Sequence, residues 1–235
     1  SSKRADQIIA LSMKCKTILQ ACGVDEKKII VINNGVEELT EISMPSSSDV
    51  IEKFGINSKY FLYVSSFFPY KRFDTVIKSY NLLPAEVKKE FKLVLVGTVQ
   101  NKKYFNELVE LSRSLGIEEN VVFVPELSKN YLYRFYSDSE IFIFASSIEN
   151  CPNILLEAMS SGCSILCSSD DPMPEFGSDS VEYFNSSDAN ELSSKILKLV
   201  NDQHFRSHLS KLSKLRAKNF SWELFTSRVV RIYNP

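Results

Sequence analysis

Two glutamates eight positions apart, Glu149 and Glu157, bracket the run Asn150-Cys151-Pro152-Asn153-Ile154-Leu155-Leu156. Proline suits the first turn of a helix, so Pro152 predicts a helix start there. Glu149 then lies in the preceding loop and Glu157 on the helix, about a turn and a half along. The first amides of a helix have no partner inside it, so those of Asn153, Ile154 and Leu155 would point back into the same cleft. Carboxylates accept hydrogen bonds from sugar and ribose hydroxyls, while amides and a nearby cation neutralise a diphosphate. Glutamates on helices are ordinarily exposed, but the apolar neighbours Leu155, Leu156, Ala158 and Met159 predict a mostly buried helix around Glu157.

The cations for such a site are Lys71 and Arg72, at the end of Ser65-Ser66-Phe67-Phe68-Pro69-Tyr70 and just before a periodic helix beginning at Phe73. Gly97, after the apolar run Leu93 to Val96, would let backbone approach a ligand with no Cβ in the way. The chain has only 7 glycines and neither a G-x-G-x-x-G nor a P-loop pattern, so dinucleotide and Walker-type readings fail. His204 and His208 are four apart on a predicted helix, but without a third ligand nearby they read as surface residues.

The elements that must carry these residues alternate short Val/Ile/Phe-rich runs with 3.6-periodic stretches. Strands are expected at Tyr60 to Val64, Phe91 to Val96, Val121 to Val124, Ile141 to Ala145, Ser164 to Cys167 and Glu182 to Phe184. They are mostly apolar throughout, as parallel strands covered on both faces are. Helical periodicity is plain at Phe73, Val76, Ile77, Tyr80 and at Ala189, Leu192, Ile196, Leu199. The expected class is α/β with a doubly wound, mostly parallel, Rossmann-like sheet, whose ligands bind beyond the carboxyl ends of the strands. Strand Gln7 to Leu11, helix Met13 to Ala21 and strand Ile29 to Ile32 read as the tail of a preceding unit. The turn signal Asn33-Asn34-Gly35 and the stretch Pro45 to Ser48 mark the expected linker.

Composition excludes much. The chain has 235 residues, 44% hydrophobic and 24% charged, an ordinary globular balance. Its 28 Lys and Arg against 29 Asp and Glu provide no field for nucleic acid. No apolar run approaches the ~20 residues of a membrane span. Five cysteines without framework spacing suggest reduced thiols and a cytoplasmic setting. Lys195 to Arg231 carries nine Lys/Arg against Asp202 and Glu223. A solvated helix face is the expected reading of that run, and peripheral contact with the anionic inner face of a membrane is the alternative. A first residue other than Met reads as a trimmed chain.

The run Glu149-x7-Glu157-Ala158-Met159-Ser160-Ser161-Gly162 resembles the Glu-x7-Glu motif of retaining glycosyltransferases of family four, which have the two-domain GT-B fold. Ile32-Asn33-Asn34-Gly35-Val36-Glu37 resembles the family's interdomain I-P-N-G-V-D segment, and Phe68-Pro69-Tyr70-Lys71-Arg72-Phe73-Asp74 its P-x-K-G-x-D loop. Leu93 to Gly97, Gly116 to Phe123, Pro174-Glu175 and Phe220-Ser221-Trp222 fall in family order, so the resemblance runs from about Ala5 to the end. It implies the C-terminal, donor-binding half of a GT-B enzyme: residues 1–35 ending the acceptor domain, 36–221 binding a nucleotide-diphosphate sugar, and 222–235 a helix crossing back to the N-terminal domain. It implies hexosyl transfer with retention of configuration, no divalent metal or other cofactor, and a polysaccharide or glycolipid acceptor held by the N-terminal domain, so that this chain alone would transfer poorly.

By the same resemblance Glu157 holds the ribose, Glu149 the donor sugar, Lys71 the diphosphate, and the backbone of Asn150, Cys151, Pro152, Asn153 and Ile154 lines the sugar and phosphate site. Gly97, Val124 and Pro125 complete the donor pocket. The chain departs from the family at four positions. Ser66 stands where an Arg usually contacts the diphosphate, Arg72 where Gly is usual, Asn33 where Pro is usual, and Pro125 where many relatives have Gly beside the base. Arg72 would supply the missing cation. The rival readings are a non-catalytic nucleotide-sugar-binding module, motivated by Ser66, and a sugar-nucleotide epimerase, for which further acid/base groups are not evident.

Overall fold

The computed structural model describes residues 5–37, 45–124 and 127–233. Six parallel strands form the main sheet: β3 (Lys59–Val64), β4 (Phe91–Val96), β5 (Val121–Val124), β6 (Ile141–Phe144), β7 (Ile165–Ser168) and β8 (Glu182–Phe184). Their spatial order is β5-β4-β3-β6-β7-β8. The chain winds outward from β3 in one direction, then returns to its other side with β6 and winds away. The connections after β3 and β6 therefore leave in opposite senses, and in this topology the crevice outside the carboxyl ends of these two strands is the usual ligand position. All six strands lie within one residue of their expected bounds, because double coverage demands apolar side chains on both faces. Phe61, Leu62, Tyr63 and all of β6 are completely buried.

The covering helices are α2 (Ser47–Phe54), α3 (Phe73–Asn81), α4 (Ala85–Glu90), α5 (Lys102–Ser114), α6 (Lys129–Asp138), α7 (Asn153–Ser160), α8 (Met173–Gly177), α9 (Ala189–Asn201) and α10 (Gln203–Ala217). The periodic residues Phe73, Val76, Ile77 and Tyr80 of α3, and Leu192, Ile196 and Leu199 of α9, are buried as their spacing requires. Helix α3 packs on α9, and α7 on α10. Before this unit come β1 (Ile8–Ala10), α1 (Met13–Ala21) and β2 (Ile29–Val31), a separate two-stranded parallel pair with its crossover helix. The chain ends in α11 (Trp222–Tyr233), none of whose residues is buried.

Three expectations need correction. The serines assigned to the linker instead start α2: Ser46 Oγ accepts from the Asp49 amide at 3.2 Å and Asp49 Oδ2 accepts from the Ser46 amide at 2.8 Å, a reciprocal cap with aspartate in the glutamate's usual place. The basic run is not simply a solvated face, because Lys195 and Lys198 reach Glu182 at 2.6 and 3.0 Å, Arg206 reaches Glu140 at 3.3 Å, and Arg216 donates to the carbonyls of Phe176 and Glu175. Gly97 does not leave room for a ligand. A Cβ there would meet the Ser65 carbonyl oxygen at 1.6 Å, so the glycine lets the loops after β3 and β4 touch.

That contact is backbone against backbone and cannot relax by a rotamer change. Gly97→Ala is expected to lower stability by at least about 2 kcal/mol, read as a lower urea midpoint at unchanged m-value. An unchanged midpoint would contradict the packing of these two loops.

Candidate functional site

The loop after β3 bends at Ser65 and Phe67, is extended at Phe68 and tightens into a 3-10 turn at Pro69–Lys71. The Lys71 amide donates to the Phe68 carbonyl at 3.0 Å, and the buried Tyr63 hydroxyl donates to the Lys71 carbonyl at 2.6 Å. With its backbone held at both ends, Lys71 sends its ammonium to the carboxylate of Glu149 in the loop after β6. Their side chains are only 10% and 15% exposed. The two loops are also fastened by backbone, since the Tyr70 carbonyl accepts from the amide and hydroxyl of Ser147 at 2.9 and 3.0 Å. Two residues 78 positions apart thus meet across the crevice.

Arg72 follows with φ 55° and ψ 34°. This left-handed conformation explains why glycine is the family's usual residue here, and an L-residue pays about 1–2 kcal/mol to adopt it. The Arg72 Nε is buried with no hydrogen-bond partner among the described residues. Ser66, at the position of the family's arginine, is 3.1 Å from the Thr98 hydroxyl.

Helix α7 starts where Pro152 predicts, with the proline as its N-cap and no side-chain cap. One expected amide is already used: that of Asn153 donates to the Cys151 carbonyl at 2.9 Å, leaving those of Ile154 and Leu155 without an acceptor among the described residues. Asn150 and Asn153 are exposed, Ile154 is half-buried, and Cys151 and Pro152 are buried. Burial pushes the Cys151 thiol up to about 11, so it stays protonated and is no nucleophile at neutral pH. Val124 is buried, and its carbonyl accepts from the Gly97 amide at 3.0 Å. Pro125 lies outside the described residues.

Glu157 lies on α7, half-buried, and its Oε2 accepts from the hydroxyl of Tyr136 at 3.1 Å. Burial raises its carboxyl pKa above the usual range; the Tyr136 hydrogen bond and the charge of Lys129 oppose this, and Glu37 adds to it. Lys129 and Glu37 form an ion pair beside it. Glu182, by contrast, lies on the edge strand. Burial opposes its ionisation, but Lys195 and Lys198 outweigh that and hold its pKa below the ordinary value.

The structure also brings to this loop residues that motif reading did not assign. Cys15 Sγ is 3.6 Å from the carbonyl and side-chain oxygens of Asn150, and Asn34 Nδ2 donates to Asn153 Oδ1 at 3.0 Å. Glu175 accepts from the Met13 amide at 2.8 Å and from Asn33 Nδ2 at 3.1 Å. Asn33 also donates to the Leu11 carbonyl at 3.0 Å. A proline side chain donates nothing, so Asn33 makes contacts that the family's usual residue cannot. Among the described residues no three His, Cys, Asp or Glu side chains are grouped as a metal site requires.

The loops after the first and fourth strands of the doubly wound sheet are thus joined by the Lys71–Glu149 contact, and Glu157 lies on the helix that follows. Residues 47–216 match the family model "Glycosyl transferases group 1", and the chain belongs to that family. It is similar to the O-antigen chain mannosyltransferase B of Escherichia coli, 26% identical over 232 residues, which are 93% of this chain and 60% of that protein. It is also similar to the serotype-specific mannosyltransferase WbdA of Escherichia coli, 24% identical over 94% of this chain and 28% of that protein. The chain thus spans 60% and 28% of these two relatives' lengths. Among solved structures, Anabaena Alr3699/HepE in complex with UDP and glucose shares the fold with a TM-score of 0.89 at 18% identity, over 99% of this chain and 64% of that one. WaaG, a glycosyltransferase involved in lipopolysaccharide biosynthesis, shares it with a TM-score of 0.77 at 18% identity, over 90% and 58%. The α/β class, the parallel sheet and the GT-B resemblance read from sequence agree with these structures.

Arg72→Gly removes the left-handed penalty, so it is expected to raise stability by about 1 kcal/mol, seen as a higher urea midpoint. A lower midpoint would mean that the arginine side chain contributes more to the fold than its backbone costs.

Proposed function

We propose that this chain is the donor-binding part of a retaining hexosyltransferase that moves a sugar from a nucleotide-diphosphate sugar to a polysaccharide or glycolipid acceptor. The observation that carries the reading is the Lys71–Glu149 contact across the crevice, with Glu157 on the helix that follows. Family membership supports the class of reaction, and the mannosyltransferase and UDP-complex names among the similar proteins support a nucleotide-sugar donor. Because those relatives are longer, the acceptor is assigned to chain outside these residues. The uncovered α11 and the two-stranded β1–β2 pair are the surfaces on which such a domain would rest.

In this reading Glu157 accepts hydrogen bonds from the ribose hydroxyls and Glu149 from the donor sugar. Lys71, Arg72 and the amides of Ile154 and Leu155 face the diphosphate. As the bond from the anomeric carbon to the phosphate oxygen breaks, negative charge grows on the leaving group, and preorganised donors stabilise that state more than the ground state. The acceptor oxygen bonds to the anomeric carbon from the same face, and its proton passes to the departing phosphate. Glu149 positions the sugar and does not attack it. Lys71 and the amides carry out the neutralisation, so no divalent ion is required. The specific observation favouring a binding module without catalysis is Ser66, which offers the diphosphate no charge.

Calorimetric titration with UDP-, GDP- and ADP-sugars in EDTA tests the reading. One nucleotide series is expected to bind, and Glu157→Ala to weaken it about tenfold or more, since a charge-assisted hydrogen bond contributes about 1.5–3 kcal/mol. Glu182→Ala removes the same charge outside the crevice and should leave affinity unchanged. Equal effects at the two sites, or binding that EDTA abolishes, would contradict it.

A further inference from the structure

We infer that Tyr136 is the positioning residue for the ribose-binding carboxylate, its hydroxyl fixing Glu157 Oε2 so that the other carboxylate oxygen faces the ligand hydroxyls. The inference rests on the donor-site reading and adds a residue that no motif identified.

The ring of Tyr136 is 1% exposed and packs edge-on against Phe142 of β6, with centroids 5.5 Å apart. Its carbonyl accepts from Ser139 Oγ at 2.9 Å and Cys163 Sγ at 3.3 Å, so both backbone and ring are held in place. Packing alone would be served by phenylalanine, as at the neighbouring Phe135 and Phe142, both fully buried. A buried tyrosine hydroxyl requires a partner, and the partner here is Glu157 at 3.1 Å. Among the described residues no donor reaches Glu157 Oε1. One oxygen is therefore anchored and the other has no donor among the described residues, an arrangement that would let the carboxylate meet a ribose diol with little further loss of side-chain freedom.

The same hydrogen bond favours the ionised carboxylate. The other charged groups acting on Glu157 are Lys129 on α6 and Glu37 on the connecting segment, while Cys163 after α7 and Tyr133 on α6 act on the Tyr136 hydroxyl. Lys129 favours ionisation and Glu37 disfavours it. Loss of the Tyr136 hydroxyl leaves burial less opposed, so the carboxyl holds its proton to higher pH. A ligand that needs the carboxylate then loses affinity at a higher pH than in the wild type.

The test compares wild type, Tyr136→Phe, Glu157→Gln and Tyr60→Phe, titrated with UDP, GDP and ADP between pH 5 and 8. Tyr60 is a control: it is buried and its hydroxyl donates to the Phe135 carbonyl at 3.0 Å, so its removal costs a buried hydrogen bond with no carboxylate involved. Tyr136→Phe is expected to weaken the nucleotide that binds by about tenfold and to move the acid limb of binding upward. Tyr60→Phe should change neither, whatever it does to the melting temperature. In the ligand-free chain, the 13C-labelled Glu157 carboxyl should titrate higher in Tyr136→Phe than in wild type. Binding that Glu157→Gln weakens but Tyr136→Phe leaves unchanged in affinity and pH dependence overturns the positioning role alone. A wild-type chain that binds none of the three nucleotides overturns the donor site and this inference together.

Discussion

Everything at the crevice depends on one charge pair. Lys71 and Glu149 come from loops after strands that are neighbours in space and distant in sequence, and neither side chain has much contact with water. A cation or carboxylate buried alone at such a place is strongly disfavoured, whereas the two together are tolerable because each neutralises the other. The pair therefore requires both loops to be built as they are. The Tyr63 hydroxyl anchors Lys71, the Tyr70 carbonyl anchors Ser147, and Gly97 allows the β3 loop to press against its neighbour. Strand order sets this proximity, and the loops convert it into chemistry. A diphosphate arriving between them would offer Lys71 a second anionic partner.

The costs borne by the ligand-free protein gather at the same place. Arg72 is in a left-handed conformation, its buried Nε and two amides at the start of α7 lack partners among the described residues, and burial pushes the Glu157 carboxyl pKa up. Local strain and unmet polar groups are tolerated where the surrounding fold over-determines them, and they cluster where a ligand would relieve them. Glu182 shows the opposite economy of charge: two lysines satisfy it at the sheet edge.

Much of this was legible because it depends on periodicity and short spacing. Parallel strands buried on both faces must be apolar without alternation, and helices on the sheet must repeat their apolar residues every three or four positions, so the strand–helix succession from β3 to β8 was visible from Tyr60 onward, as was the helix opened by Pro152. What the spacing could not convey was partnership between distant segments. That Gly97 accommodates the Ser65 carbonyl, that Asn33 bridges Leu11 and Glu175, and that Tyr136 meets Glu157 are facts of the folded chain. Ser46 to Ser48 misled because serine favours loops and helix caps for one reason, its side-chain competition for backbone groups. The aspartate three residues after Ser46 was the available signal for the cap.

The most direct test of the account is the position of the Lys71 ammonium in a crystal of this chain grown with the nucleoside diphosphate that binds it. The diphosphate is expected between the loops after β3 and β6, with Lys71 Nζ within hydrogen-bond distance of a phosphate oxygen and Glu157 on the ribose. A nucleotide bound elsewhere, or one bound there with no phosphate oxygen within reach of Lys71, would contradict it.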